Sequence, residues 1–232
     1  MNMTKRLLVT AVVIGTAVFS FPANAQLSNG SVTHKSPSEL NEQKAAAIAG
    51  FGSLLSNALT PASIQSFLKA AGEMPALPPS ASINFNNVTA PCFFDETTAL
   101  RGIEQGGYFD APGTNGGGIL NTCSNFGIQP LTPPNFLAFN NQTFYDNGGI
   151  PQLPQVFHLA STTSVSFSVS GGLDGAGYPI ALIAMGSGVV QSAVTSTLTS
   201  SWVQVTLTGT DITAVAVVGQ PYLLLIDDIT AQ

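Results

Sequence analysis

Charge is the scarcest feature of this 232-residue chain: Asp, Glu, Lys and Arg together make up 8% of it, about a third of the usual share in a soluble domain. Bases are rarer than acids, six against twelve, and beyond residue 81 only Arg101 remains beside nine acids. A region so poor in cations has no basic patch with which to hold a polyanion, so nucleic acid is excluded as its partner. Its polar surface must come from Ser, Thr, Asn, Gln and Gly, which suits neutral ligands and divalent cations.

The residues of catalysis are scarce as well. His158 in "QVFHLA" is the only His after His34, and a nucleophile needs a base within hydrogen-bond reach and a group orienting that base. "MGSGVV" is not the Gly-x-Ser-x-Gly of a nucleophile elbow. The paired carboxylates Asp95–Glu96 and Asp227–Asp228 are adjacent in sequence, whereas glycoside cleavage needs two facing each other across a cleft. "TNGGG" precedes a strand rather than a helix, so it is no phosphate cradle. The chain reads as a non-enzyme.

Long apolar runs are absent too. "LLVTAVVIGTAVFSF" after the basic start "MNMTKR" falls short of the ~20 residues a membrane span needs. With "PANA" behind it, the segment 1–25 reads as a signal peptide cleaved after Ala25. Loss of Lys5 and Arg6 leaves four bases against twelve acids. The mature protein is expected to be secreted or periplasmic, with no span of its own. In an exported chain the two cysteines, Cys92 and Cys123, read as a disulfide. Its loop of about 30 residues would contribute roughly 3–4 kcal/mol. Asn87-Val-Thr and Asn141-Gln-Thr match the glycosylation pattern but read as turn residues behind a leader of bacterial type.

What is present falls into two regions with different periods. Across residues 36–75 apolar positions recur every three or four residues: Ile48, Phe51, Leu54, Leu55 and Ala58, then Ile64, Phe67, Leu68 and Ala71. Ser38 can cap the first helix, with Glu39 and Glu42 in its first turn. "LTPAS" restarts the chain with Thr60 as cap and Pro61 at the first helical position. A helical hairpin and linker over 26–78 results, "PALPPSAS" being semi-rigid. Two uses are open to it: docking and oligomerisation through residues 36–75, or packing on the remainder of its own chain. The linker is expected to be open to proteolysis, and the hairpin separable.

From Ser82 the period is two. "SINFNNV", "TSVSFSVS", "SWVQVTLTG" and "ITAVAVVG" alternate as half-buried strands do, between Gly, Pro and Asn clusters that mark turns. Nine or ten short strands without a helix predict a mainly β domain over 79–232, a jelly-roll β-sandwich preceded by the short α-helical segment.

Taken in order, "INFNNVTAPCFF", "GGYF", "GGGILNTCSNFG", "PPNFLAFN", "VSFSVS", "SWVQVTLTG" and "YLLLIDDIT" resemble the secreted bacterial galactose-binding-like β-sandwich proteins, many of which carry a PEP-CTERM tail. More distantly, the ends of this stretch resemble carbohydrate-binding modules and MAM domains. The resemblance covers residues 82–232. It implies that the first strand (82–88) and the last (221–229) pair and jointly hold a structural Ca2+. The ligands would be Asp227 or Asp228 with Asn84 or Asn86, where the family usually has an acid, and with Asp110 or Glu104 adding oxygens. No sorting-tail motif is recognisable up to Gln232, so free secretion or a periplasmic location is expected.

Period two sets Asp227 and Asp228 on opposite faces, so one faces an ion and the other water; the second reading leaves both solvated at the strand's end. For a sugar, Trp202 offers a stacking platform because it shares its strand face with Gln204 and Thr206; the same Trp could lie at the rim under a loop. Tyr108, Tyr145 and Tyr178 sit beside Gly-rich turns, with Asp146, Asn147 and Asp174 as hydroxyl partners. The function implied is an exported binding protein for glycan or another extracellular surface. The alternative is a structural or adhesive matrix protein assembled through its helices.

Overall fold

The computed structural model describes residues 37–71, 74–90, 98–100, 102–109, 117–121, 127–138, 155–219 and 224–232. Two helices come first, α1 (Pro37–Ala58) and α2 (Pro61–Ala71). The turn between them is stopped and restarted by Thr60, whose hydroxyl oxygen accepts the backbone N–H of Ser63 at 3.2 Å, as the N-cap position predicts.

Among the described residues eleven strands follow: β1 (Ala81–Ile83), β2 (Thr98–Ala99), β3 (Gly102–Glu104), β4 (Gly107–Phe109), β5 (Gly118–Asn121), β6 (Asn135–Ala138), β7 (Gln155–Ser170), β8 (Pro179–Gly186), β9 (Val189–Thr197), β10 (Val203–Gly219) and β11 (Leu225–Ala231). A single helical turn, α3 (Gly172–Gly175), lies between β7 and β8. All the pairings are antiparallel, in the order β2-β5-β6-β11-β7-β10-β8-β9, with β1 on β11 and the β3–β4 hairpin on β7.

The two long strands make this one ladder into a sandwich. β10 pairs with β7 throughout, but the register shifts between Thr208 and Ile212 and again before Ala214, which lets the ribbon bend. Its first part, 164–169 against 203–208, belongs with β11, β6 and β5. Its second part, 155–162 against 212–217, belongs with β8 and β9. Between the layers lies one core: Ile119, Leu137, Phe167 and Ile226 from the first, Phe109, Phe157, Leu182 and Val215 from the second. The rings of Phe109 and Phe157 stack at 5.6 Å, and Phe167 meets Phe157 edge-on at 6.0 Å.

The outer face of the second layer is apolar as well. Val156, Ala181, Ile183, Met185, Ala214, Ala216 and Val218 point away from the core and are buried beneath Ala58, Ile64 and Phe67 of the helices. Lys44 ties α1 down, donating to the Ala176 carbonyl at 2.5 Å with its ammonium 5.4 Å from the Tyr178 ring centre. Gln65 donates to the Gly188 carbonyl at 3.3 Å. The hairpin is thus a third layer packed on its own sandwich, not a body standing apart.

The first and last strands pair, as the resemblance implied, through Ala81–Ala231, Ser82–Thr230 and Ile83–Ile229. Their extents differ from expectation. β1 ends at Ile83 because the chain turns there: Phe85 has φ +60°, and Val88 donates to the Phe85 carbonyl.

Candidate functional site

On the first layer, alternation sorts the side chains. Val165, Phe167, Val169 and Leu207 enter the core, so Ser164, Ser166, Gln204, Thr206 and Thr208 take the outer face. Register sets Thr206 opposite Ser166, Gln204 opposite Ser168 and Thr208 opposite Ser164. The hydroxyls of Ser166 and Thr206 lie 2.8 Å apart. On the other side of β7, Thr230 sits opposite Ser166 and Asp227 opposite Ser168. The exposed side chains that β7 and β10 show on this face are hydroxyls and one amide, with the half-buried Asp228 on the β11 side.

Trp202 stands at one end of the patch. Its ring meets Phe136 edge-on at 6.3 Å and packs beside Ile128 on the cluster of Leu120, Phe136, Ala138 and Leu225. Its Nε1–H donates to the Gln129 carbonyl at 2.8 Å. The indole is therefore a half-buried rim residue fixed in one orientation under the loop 127–134, with part of its surface still open.

That loop is held by the aspartates. Asp227 is fully buried, and its Oδ2 accepts the backbone N–H of Leu131 at 2.7 Å and of Thr132 at 3.1 Å. Its Oδ1 accepts the N–H of Asp228 at 2.9 Å. Burial pushes the carboxyl up to about 7, assisted by the Asp228 charge and opposed by these three donors.

Asp228 does not turn to the opposite face. Its φ of +52° and the register shift between Asp227 and Thr230 break the two-residue period, and Oδ2 accepts the Thr132 hydroxyl at 2.7 Å. Both acids close on the same residue of the same loop. The Asn86 amide comes from the other side, donating to the carbonyls of Thr132 and Pro133 at 2.9 Å each and accepting the Asn135 N–H at 3.0 Å. Asn135 in turn donates to the carbonyls of Phe85 and Val88 at 2.7 Å. Asn84 accepts from Gln105 Nε2 at 2.9 Å, while Gln105 Oε1 accepts the backbone N–H groups of Asn84 and Phe85.

This arrangement bears on a cation. Both oxygens of Asp227, Oδ2 of Asp228 and the side-chain oxygens of Asn84 and Asn86 each accept a hydrogen from a protein donor. Among the described residues no three His, Cys, Asp or Glu groups come together as a metal set. As described, these oxygens form a clasp with N–H and O–H donors. Asp110 lies outside the described residues. Glu104 turns inward under the first-strand turn, where burial raises its carboxyl against a hydrogen bond from Asn87.

Of the other predicted ligand residues, Tyr178 is not at the surface. It is 6% exposed and part of the core, under the Lys44 ammonium. Tyr108 lies on β4 opposite His158, in the second layer and away from Trp202. Asp174 falls in α3. Tyr145, Asp146, Asn147, Cys92 and Cys123, with the segment 1–25, fall outside the described residues. His158 is fully buried on the helix-covered side, neither ring nitrogen has a partner, and burial lowers it to about 4.

Sequence reasoning missed Thr132, Asn135 and Gln105. Thr132 acts largely through its backbone, which no letter advertises; "PPN" marked only a turn.

No protein-family model matches the chain, and no curated protein matches it. Among solved structures it is similar to a cleaved adhesin domain of Lys-gingipain, at 13% identity and a TM-score of 0.39, over 66% of this chain and 99% of that one. A second cleaved adhesin domain of Lys-gingipain, from Porphyromonas gingivalis, gives 12% and 0.29, over 68% and 92%. A carbohydrate-binding module from Cellvibrio mixtus lichenase 5A, solved with cellotriose, gives 12% and 0.22, over 34% of this chain and 68% of that one. The overlap is too loose to transfer any site residue by residue. No helix among the described residues is long and apolar enough to cross a membrane.

Proposed function

We propose that this is an exported, non-catalytic binding protein that recognises glycan or another neutral extracellular surface. The supporting observation is the uncharged outer face of β7 and β10, where Ser166, Gln204 and Thr206 stand beside an indole already fixed by its N–H. Hydroxyls and an amide exchange hydrogen bonds with sugar hydroxyls at little desolvation cost, and a fixed aromatic loses little entropy on stacking. The leader-like segment 1–25 supports export. Calcium has no step in this reading.

The alternative, a matrix protein assembled through residues 36–75, has less surface to use. The apolar stripe of α2 is occupied by the sheet, and what α1 leaves exposed are Ile48 and Leu54, half-accessible.

A polysaccharide panel, read by retention of the protein, tests the proposal. Retention on at least one neutral polysaccharide is expected, weakened tenfold or more by Trp202→Ala and several-fold by Gln204→Ala. Retention unchanged in both variants would remove this face as the site.

A further inference from the structure

On the glycan reading of the β7–β10 face, on which this rests, we propose that the ligand is an extended, neutral polysaccharide chain laid along β10 from Trp202 to Thr208. Trp202, Gln204, Thr206 and Thr208 share one side of the chain at every second residue. Beneath them β10 keeps a single register with β7 from Val203–Val169 to Thr208–Ser164, and the shift comes only after Thr208. The row is therefore unbroken over about 20 Å, the length of roughly four pyranose rings end to end. Gln204, Thr206 and Thr208 are exposed, with Ser164 and Ser166 half-buried beside them.

Neighbours in that row stand about 6.7 Å apart along the strand, so one ring resting on Trp202 cannot also reach Thr208. Each further unit meets a fresh group: the Gln204 amide, then the Ser166–Thr206 hydroxyl pair at 2.8 Å, then Thr208 opposite Ser164. Affinity built from such linked, repeated contacts grows with chain length until the row is filled, and then levels. Charge at the margins selects a neutral chain. Three residues beyond Thr208 stands Asp211, whose carboxylate accepts the hydroxyls of Ser161 and Ser187 and is held below the usual carboxylate range by them. Half-buried Asp228 lies on the β11 side, and residues 102–232 contain no Lys or Arg. A uronate or sulfated chain would meet carboxylates there and no cation to offset them.

Titration calorimetry of the full chain with β-1,4-linked gluco-, manno- and xylo-oligosaccharides, from disaccharide to hexasaccharide, reads the length dependence. At least one series should gain about tenfold or more in affinity from disaccharide to tetrasaccharide and little beyond it. Thr208→Ala should move the plateau to a shorter chain, whereas Trp202→Ala should weaken every length. Oligogalacturonates of equal length should bind at least about tenfold more weakly than the neutral series. Circular dichroism of each variant checks that the fold is kept. A disaccharide bound as tightly as the hexasaccharide, with Trp202→Ala abolishing both, would leave the face a glycan site and overturn the extended chain. A plateau unmoved by Thr208→Ala, or oligogalacturonates bound as tightly as neutral chains, would overturn it as well. No binding by any series, or binding indifferent to Trp202→Ala, would remove the face itself and the extended chain with it.

Discussion

Thr132 donates its backbone N–H to the buried carboxylate of Asp227 at 3.1 Å, across 95 positions of sequence. The same residue gives its hydroxyl to Asp228. A strand of large apolar residues can end in two carboxylates because loop N–H groups meet them, so no cationic side chain is needed.

Asp227→Asn should therefore cost more than Asp228→Asn. An amide in place of Asp227 sets an NH2 group against at least one of three N–H donors and leaves a buried donor unsatisfied, at about 1–3 kcal/mol. Asp228 is only half-buried and holds one hydroxyl, so its loss should cost under about 1 kcal/mol. Thermal melts give the ranking. Trp202 emission should shift to the red in Asp227→Asn, because its N–H partner Gln129 lies two residues before Leu131. Equal costs, or unmoved emission, would separate the clasp from the loop.

Calcium makes a second test. With the side-chain oxygens of the clasp already accepting protein hydrogens, millimolar calcium should leave the melting curve where a chelator leaves it. A rise of several degrees, abolished by Asp228→Ala, would mean that the clasp reorganises around an ion with oxygens from beyond the described residues.

How far the sequence announced all this differs element by element. The helices were legible from their spacing, and the second part of β7 and the start of β10 from strict alternation, because each has one face in the core. β8 and the end of β10 were legible as strands, but "PIALIAMG" and "AVAVVG" are apolar at nearly every position. That pattern signals burial on both faces, and with it the third layer. The aspartates do not take opposite faces, because period two fails at a residue with positive φ. Trp202 read as platform or rim, and it is a rim residue with an open part.

The third layer yields a prediction of its own. Phe67 is 4% exposed, between α2 and the outer face of the sheet, so Phe67→Ala should cost about 3–5 kcal/mol. A cut by protease within 72–80 should leave the hairpin bound, its two fragments co-eluting until denaturant is added. A hairpin that elutes free after the cut would show the helices to be a separable body.

The last prediction concerns pH, where two buried groups oppose each other. His158 is lowered to about 4 in the folded protein from an ordinary value of 6.5. Between those values the unfolded chain binds a proton that the folded chain refuses, so stability falls as pH drops from about 6.5 to 4, by on the order of 3 kcal/mol. Asp227 is raised from 3.8 to about 7. Its contribution is fully present below 3.8 and is lost as pH rises through 7, so it strengthens the fold over nearly the same descent, by a similar order. The wild type should therefore show a shallow stability profile between pH 4 and 7. Removing one group should expose the other: Asp227→Asn should become acid-labile, its melting temperature falling steadily below pH 6.5. His158→Leu, which keeps the buried volume and removes the proton, should instead gain stability as pH falls. Melting temperatures at half-unit steps distinguish these cases, and parallel profiles for all three proteins would show that neither group titrates in this window.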